Sequence, residues 1–354
     1  MASGAAQKAL IDKASRAARQ RQIAYREQEA KAAQDLLQRI ANAIKLELLS
    51  LQDGGRDVLP GDIPSLRAFL GGQTDELLQR YRAIVYRALP ESARIGASVL
   101  PLSGSGLSVD VLVNQTMAWI TSFRASDGLQ LSDRLWRVAS TAKTELGAAI
   151  ENGIVRGQSS YQAAQEFIDR GAPVPSELNM GMAARQAATL AARAEQLLVN
   201  PSADVLYAAQ RVIRTETNRA YTESYVASVA QHPDVIGVKF TLSPMHPKHD
   251  ICDLYAAANL HGLGPGVYPP GDHPYPAHPN TLSYLQPVFA DEVTDADRAG
   301  KQSAFDWLGK QDAGTQTAVL GGQKKADAFR AGQLHDSELL APWYQIADRL
   351  GAQP

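Results

Sequence analysis

Six histidines, His232, His246, His249, His261, His273 and His278, crowd into one short stretch with Cys252, although the whole chain holds only 7 His and 1 Cys. Imidazole and thiolate are the side chains that hold zinc, and a tetrahedral site takes four such ligands. His246, His249 and Cys252 follow one another at intervals of three, and His278 lies where it could close the set from the far side of the loop. Pro247 interrupts any helix through the triplet, and no CxxC pair flanks the loop. Two other readings stay open. Histidines beside prolines can satisfy the backbone carbonyls of an irregular loop, where no regular ladder does so. Alternatively, the same four residues could serve a metal-dependent hydrolase or nuclease, which requires an open coordination position.

A second concentration of polar groups runs from Arg211 to Tyr225, R-V-I-R-T-E-T-N-R-A-Y-T-E-S-Y. On a helix, Arg214, Asn218, Tyr221 and Tyr225 share one face, while Glu216, Arg219 and Glu223 form another with ion pairs at i,i+3 and i,i+4. One use is structural: Arg214, Glu216 and Arg219, with Asp250 and Asp253, brace the histidine loop, because a planar guanidinium serves several carbonyls or one carboxylate at once. A catalytic Arg–Glu pair is the other, and it would need a substrate pocket. The chain contains no phosphate-cradling glycine loop, nucleophile elbow or carboxylate cluster suited to two metals.

The third charged feature lies at the start. Lys8, Lys13, Arg16, Arg19, Arg21 and Arg26 face Asp12 alone, a basic arm. It reads either as a solvated helix whose long side chains snorkel to water or as a contact for DNA or an acidic partner.

These groups must be positioned by a chain of 354 residues, of which 45% are hydrophobic, 20% charged and 6% aromatic. That composition excludes a disordered chain and suits helices packed through alanine. A formal net charge of -2 excludes a strongly basic nucleic-acid wrapper, so any DNA contact must be local. One cysteine excludes an internal disulfide framework and a multi-cysteine zinc cluster, and fits a reducing compartment. No apolar run reaches the roughly 20 residues that span a bilayer, and the N-terminus lacks the apolar core of a secretory signal.

Residues 5 to 52 read as one long helix with Leu37, Ile40, Ile44 and Leu48 on its buried stripe, stopped by Asp53, Gly54 and Gly55. Pro60, Gly61 and Pro64 mark turns. The pattern predicts a second helix from Thr74, with Leu77, Leu78, Tyr81, Ile84 and Val85 buried, ending before Pro90. Val109 to Phe123 fits a helix or a short strand. Ser132 caps a helix carrying Leu135, Ala139, Ala142, Leu146 and Ala149 on one face, ending at Gly153 or Gly157. Ser159 and Gln162 open a short helix closed by Gly171, and Pro173 and Pro175 form a linker. Helices over 180–199 and 203–231 follow, then a strand at Val238, Phe240 and Leu242. Tyr284 to Phe289 is a second strand, in which Pro287 implies an edge or bulge. The remainder is helical with glycine breaks.

Two segments together resemble the phage Mu F-like domain, also called the phage head morphogenesis domain. R-T-E-T-N-R-A-Y at Arg214 to Tyr221 is similar to the family's R-T-E-x-x-R-A helix, followed by Gly237-Val238-Lys239 entering the strand. The loop resembles one family variant through S-P-M-H-P-K-H-D-I-C-D-L-Y (Ser243 to Tyr255), G-L-G-P-G-V-Y-P (Gly262 to Pro269) and P-A-H-P-N (Pro276 to Asn280). The likeness covers roughly residues 203–289, and more weakly 131–171 and the tail from Leu320 through Leu339. Family members commonly carry C-R-C or C-x-C after the H-P-x element, where this chain has Thr281 and Ser283.

The resemblance implies a mainly α protein. Long N-terminal helices precede a small α+β Mu F-like domain with a short antiparallel sheet and a His/Pro-rich loop. The expected blocks are a helical N-terminal region with the basic arm (1–130), a helical connector (131–200), the Mu F-like domain (201–292) and a helical C-terminal extension (293–354). It further implies a minor capsid protein of a tailed bacteriophage, of low copy number and without established catalysis. Such a protein faces the head interior at the portal vertex after assembly in the host cytoplasm. Its expected partners are the portal protein, the major capsid or scaffolding protein and phage DNA, with no membrane. No cofactor is expected, zinc at His246, His249, Cys252 and His278 being the exception to weigh. The alternative function remains a metal-dependent hydrolase or nuclease built on the same loop. A DNA-binding regulator is disfavoured by the net charge and by the lack of a recognition-helix pattern.

Overall fold

A computed structural model describes residues 4–52, 58–100, 108–124, 128–169, 183–246 and 248–352. The protein is mainly α with a small antiparallel sheet. Helices α1 (Gly4–Gln52), α2 (Ile63–Ala97), α3 (Val109–Ser122), α4 (Leu131–Asp169), α5 (Ala183–Val199) and α6 (Asp204–Val229) come first. Then follow β1 (Val235–Thr241), α7 (Ile251–Ala257), β2 (Val267–Tyr268) and β3 (Tyr284–Phe289). Five short helices complete the chain: α8 (Asp295–Ala299), α9 (Ala304–Gly309), α10 (Ala313–Leu320), α11 (Gln323–Arg330) and α12 (Trp343–Leu350). No helix among the described residues is long and apolar enough to cross a membrane.

Two compact units each draw on separated segments of the chain. One comprises Met1–Arg26, Leu89–Gln130 and Thr215–Pro354, the other Glu27–Ala88 and Leu131–Arg214. The described residues of the second unit form helices and no strand, and its core is the apolar stripe that periodicity predicts. Leu37, Ile40, Ile44 and Leu48 of α1 are buried, as are Leu77, Tyr81 and Val85 of α2 and Leu135, Ala142 and Leu146 of α4. Tyr81 donates its buried hydroxyl to the carbonyl of Ala209, 2.7 Å away.

Several boundaries differ from expectation for local reasons. Thr74 lies inside α2, where its hydroxyl bonds back to the carbonyls of Leu70 and Gly71 instead of capping a helix start. Pro60 begins a 3-10 turn over Pro60–Asp62, and Pro64 lies in the first turn of α2, where a missing N–H costs nothing. α2 also continues through Pro90. The lost bond and ring clash cost about 3 kcal/mol, offset by burial of Leu89, Ala93 and Ile95 around it. Val109–Ser122 is a helix capped by the Ser108 hydroxyl, which accepts from the Val111 amide at 3.2 Å. α4 runs unbroken past Gly153 and Gly157, with Ser132 one residue inside it. Ser159 and Gln162 lie outside the described side chains, and Asp53–Gly55, Gly171, Pro173 and Pro175 outside the described residues.

The first unit carries the sheet, in the order β2-β1-β3 with both pairs antiparallel. β1 alternates as predicted: Val238 and Phe240 are buried and Lys239 is exposed. Pro287 pairs with Val238 on the edge strand β3, and the bulge falls at the Val235/Gly237 end of the ladder. Val238 and Phe240 share one core with Tyr225 and Val229 of α6, Leu254 of α7, Trp307 of α9, Leu320 of α10 and Ile346 of α12. The tail is thus part of the body that holds the sheet.

α6 enters this unit at Thr215 and is buried on every side there. It can be, because small residues meet small residues: Ser228 donates to the carbonyl of Ala97 at 3.1 Å, and the hydroxyls of Ser224 and Thr116 lie 2.7 Å apart. Gly96 lies against the backbone of Tyr221 and Tyr225, a seam with no space for a Cβ.

Candidate functional site

The long loop between β1 and β3 is internally structured. Asp250 caps α7 by accepting from the Cys252 amide at 2.7 Å, and Asp253 accepts from the Asp250 amide at 2.8 Å, a reciprocal capping box. The Asp253 carboxylate also takes His249 Nδ1 at 2.9 Å and His246 Nε2 at 3.1 Å. Burial opposes charge on Asp253, yet the Asp250 amide and the two imidazoles hold its carboxyl below the usual range. The Asp253 bond in turn raises the pKa of His249. This knot is therefore fully formed between the two ordinary values: it weakens as pH falls through the lowered Asp253 value and as it rises through the raised His249 value.

Further along, Asn259 ties the glycine-rich turn. Its Oδ1 accepts from the Gly262 amide at 2.9 Å and its Nδ2 donates to the Asp297 carbonyl at 2.6 Å. Gly266 has φ +72 and a backbone pressed on the carbonyl of Ala256, so only glycine fits there. Its carbonyl accepts from the Phe240 amide at 2.8 Å, locking the loop to β1.

The predicted zinc ligands divide. Cys252 is fully buried, and its Sγ joins one carboxylate oxygen of Asp250 and one ring nitrogen of His278 in a group whose atoms lie within 4.8 Å of one another. His246 falls in a second group with Asp250 and Asp253, within the same 4.8 Å limit. His249 belongs to neither group and is spent on Asp253. Of the four residues the spacing singles out, His246, Cys252 and His278 fall in these groups and His249 does not, and both groups share Asp250, which the spacing does not single out as a ligand. His278 Nδ1 is 2.9 Å from the carbonyl of Pro279 and must donate to it, which leaves Nε2 as the acceptor in the neutral ring. That nitrogen sits 3.3 Å from Asp250 Oδ2, so two acceptors face each other until a proton or a cation comes between them. A cation is one solution; an imidazolium–aspartate pair is the other. The thiol is less ready for metal. Burial first, then the Asp250 charge, push Cys252 up to about 12, and the hydroxyls of Thr281 and Ser283 pull only weakly the other way.

The remaining histidines lie elsewhere. His261 meets the Tyr268 ring edge-on, and His232 does the same to Phe289. His273 stands 3.9 Å from Glu223 of α6. Burial holds His273 down to about 4, and burial, opposed by Arg219, pushes Glu223 up to about 7. Both are neutral between those values.

The two arginines expected to brace the loop each have a carboxylate partner. Arg214 falls in the other unit, where its Nη2 donates to Glu27 Oε2 at 2.8 Å. Arg219 pairs with Glu216 at 3.1 Å, largely out of water, and its guanidinium stands over the Phe123 ring at 4.3 Å. Short side chains of the same helix reach the loop instead. Thr215 Oγ1 accepts from the Asn280 amide at 3.3 Å, and Asn218 Nδ2 donates to the Thr281 carbonyl at 3.5 Å. Asp250 and Asp253 brace the loop as expected, from inside it. Thr215 and Asn259 carry no sequence signal beyond their capacity to bond backbone.

The basic arm is not uniformly available. Lys8 pairs with Asp291 at 2.7 Å and Glu292 at 3.3 Å. Arg26 is buried, and Arg19 stands over the Tyr284 ring at 3.4 Å. Lys13, Arg16 and Arg21 are exposed.

Compared with protein-family models, with curated proteins and with solved structures, the chain has no match in any of the three.

Proposed function

We propose that this chain is a minor capsid protein of a tailed bacteriophage. In this reading it lies in the head interior at the portal vertex, contacts portal, coat or scaffolding protein and DNA, and acts in procapsid assembly and DNA packaging or ejection without catalysing a reaction. One observation carries the most weight beside the motif likeness: the helix around Arg214 to Tyr221 and the loop of Ser243 to Asn280 are distant in sequence, yet Thr215 and Asn218 bond directly to the loop's end. A loop closed by its own capping box and tied to a buried helix is rigid, which suits docking into a shell more than opening around a substrate.

The test is genetic. A stop codon early in the coding sequence of the phage that carries it should lower the yield of filled heads, and mass spectrometry of wild-type particles should find the chain in few copies per head. Normal titres of particles lacking the chain would refute the proposal.

The second reading, a metal-dependent hydrolase or nuclease, is favoured by the grouping of Asp250, Cys252 and His278. Elemental analysis of protein purified without chelator separates the two. Stoichiometric zinc with an exchangeable water would support hydrolysis, whereas a closed site with no labile position would support a structural metal.

A further inference from the structure

A cavity of about 600 Å³ opens in the first unit between the start of α1, the middle of α6 and the two ends of the loop. No histidine and no cysteine lines it. Its walls bring together the guanidiniums of Arg16, Arg19 and Arg26 against the single carboxylate of Asp12. Among the described residues neither Arg16 nor Arg19 has a carboxylate partner, and the guanidinium of Arg19 is held in place by the Tyr284 ring beneath it. Gln22 lies between these arginines on the same helix. It is 2% exposed, and neither its Nε2 nor its Oε1 has a hydrogen-bond partner. Leaving a buried amide unpaired is costly, so a wall that keeps both atoms unpaired invites a ligand able to donate and accept. The rest of the wall is largely apolar and includes Tyr221, Tyr275 and Pro287.

We infer that this cavity binds a small oxyanion, a carboxylate or a phosphate, carried on a planar body with hydrogen-bonding edges. Guanidiniums take the oxyanion by paired donors, the Gln22 amide takes the edge of the planar body, and the aromatic wall takes its faces. The volume lies within the range of small-ligand pockets. The basic residues of α1 then serve a bound molecule rather than a polyanion surface alone.

Isothermal titration of the full chain tests this with three probes: adenosine monophosphate, nicotinate and inorganic phosphate. Binding of adenosine monophosphate identifies the phosphate source, binding of nicotinate the carboxylate source. In either case Gln22→Met and Arg19→Gln should each weaken binding by about tenfold or more. Gln22→Met removes an unpaired amide from a buried wall, so it should fold at least as well as the parent, checked by its melting temperature. The inference is overturned if neither organic probe binds up to about 10 mM. It is equally overturned if inorganic phosphate binds as tightly as the organic probes, or if affinity is unchanged in both variants.

Discussion

Gly96→Ala should destabilise the protein even though alanine is the better helix former. Gly96 sits near the end of α2, where an added Cβ would fall inside contact distance of the Tyr221 carbonyl oxygen and 2.9 Å from the Tyr225 amide nitrogen. Both are backbone atoms of α6, so no side chain can swing aside; the helices must separate. Helix propensity favours alanine by about 0.5–1 kcal/mol. Overpacking a filled core costs about 1–3 kcal/mol, and a backbone-on-backbone clash belongs at the upper end. The expected net loss is about 2 kcal/mol, read as a lower urea midpoint at unchanged slope. Gly147→Ala in α4 is the matched control, because nothing lies within 4 Å of its added Cβ. The same chemical change should there stabilise by up to about 1 kcal/mol. Because Tyr221 and Tyr225 line the cavity, Gly96→Ala should also weaken any ligand bound there. Equal or greater stability of Gly96→Ala would show that the seam between α2 and α6 is not closed as described, and the reasoning would fail.

Glu223→Gln should stabilise the protein at pH 8 and leave it unchanged near pH 4. Burial raises the folded carboxyl from 4.5 to about 7, so between those values the folded state holds more protons and stability falls as pH rises. The gain at pH 8 is at most about 3 kcal/mol, and equal midpoints for parent and variant at pH 8 would contradict it. Cys252, pushed up to about 12, carries a thiolate fraction on the order of 10⁻⁴ at pH 8, so a disulfide reagent with chelator present should label it only on unfolding. Stoichiometric labelling of native protein within minutes would argue against its burial. Asp250→Ala removes the cap of α7 and should cost about 1–2 kcal/mol, seen as faster amide exchange at Cys252 and Asp253. Unchanged exchange there would mean the capping box does not hold the loop.

What could be read from residue order alone was whatever depends on near neighbours. The stripe Leu37, Ile40, Ile44 and Leu48 had to lie on one face of a helix, and Val238 and Phe240 had to alternate with Lys239, because both periods are set by backbone geometry. The mainly α class followed, as did the edge position of Pro287, which has no N–H to give a second partner. The crowding of His246, His249, Cys252 and His278 into one stretch was equally legible, whereas the capping box of Asp250 and Asp253 appeared only with the fold.

Only the tertiary structure decided which groups face one another. It routed α2 through Pro90, since the burial of Leu89 and Ala93 outweighs a missing bond that no local rule would forgive. It gave Arg214 to Glu27 and Arg219 to Glu216 and Phe123, leaving Thr215 and Asn218 to hold the loop. It made Asp250 the common member of both candidate metal groups and placed Gln22, unremarkable in its own segment, among three guanidiniums in a cavity wall. The physical reason is the same each time. Helical and strand periods tell which way a side chain points from its own backbone, whereas a bonding partner is fixed by distance in the folded chain. That distance is set by how closely small residues such as Gly96, Ala97, Ser224 and Ser228 let the helices approach.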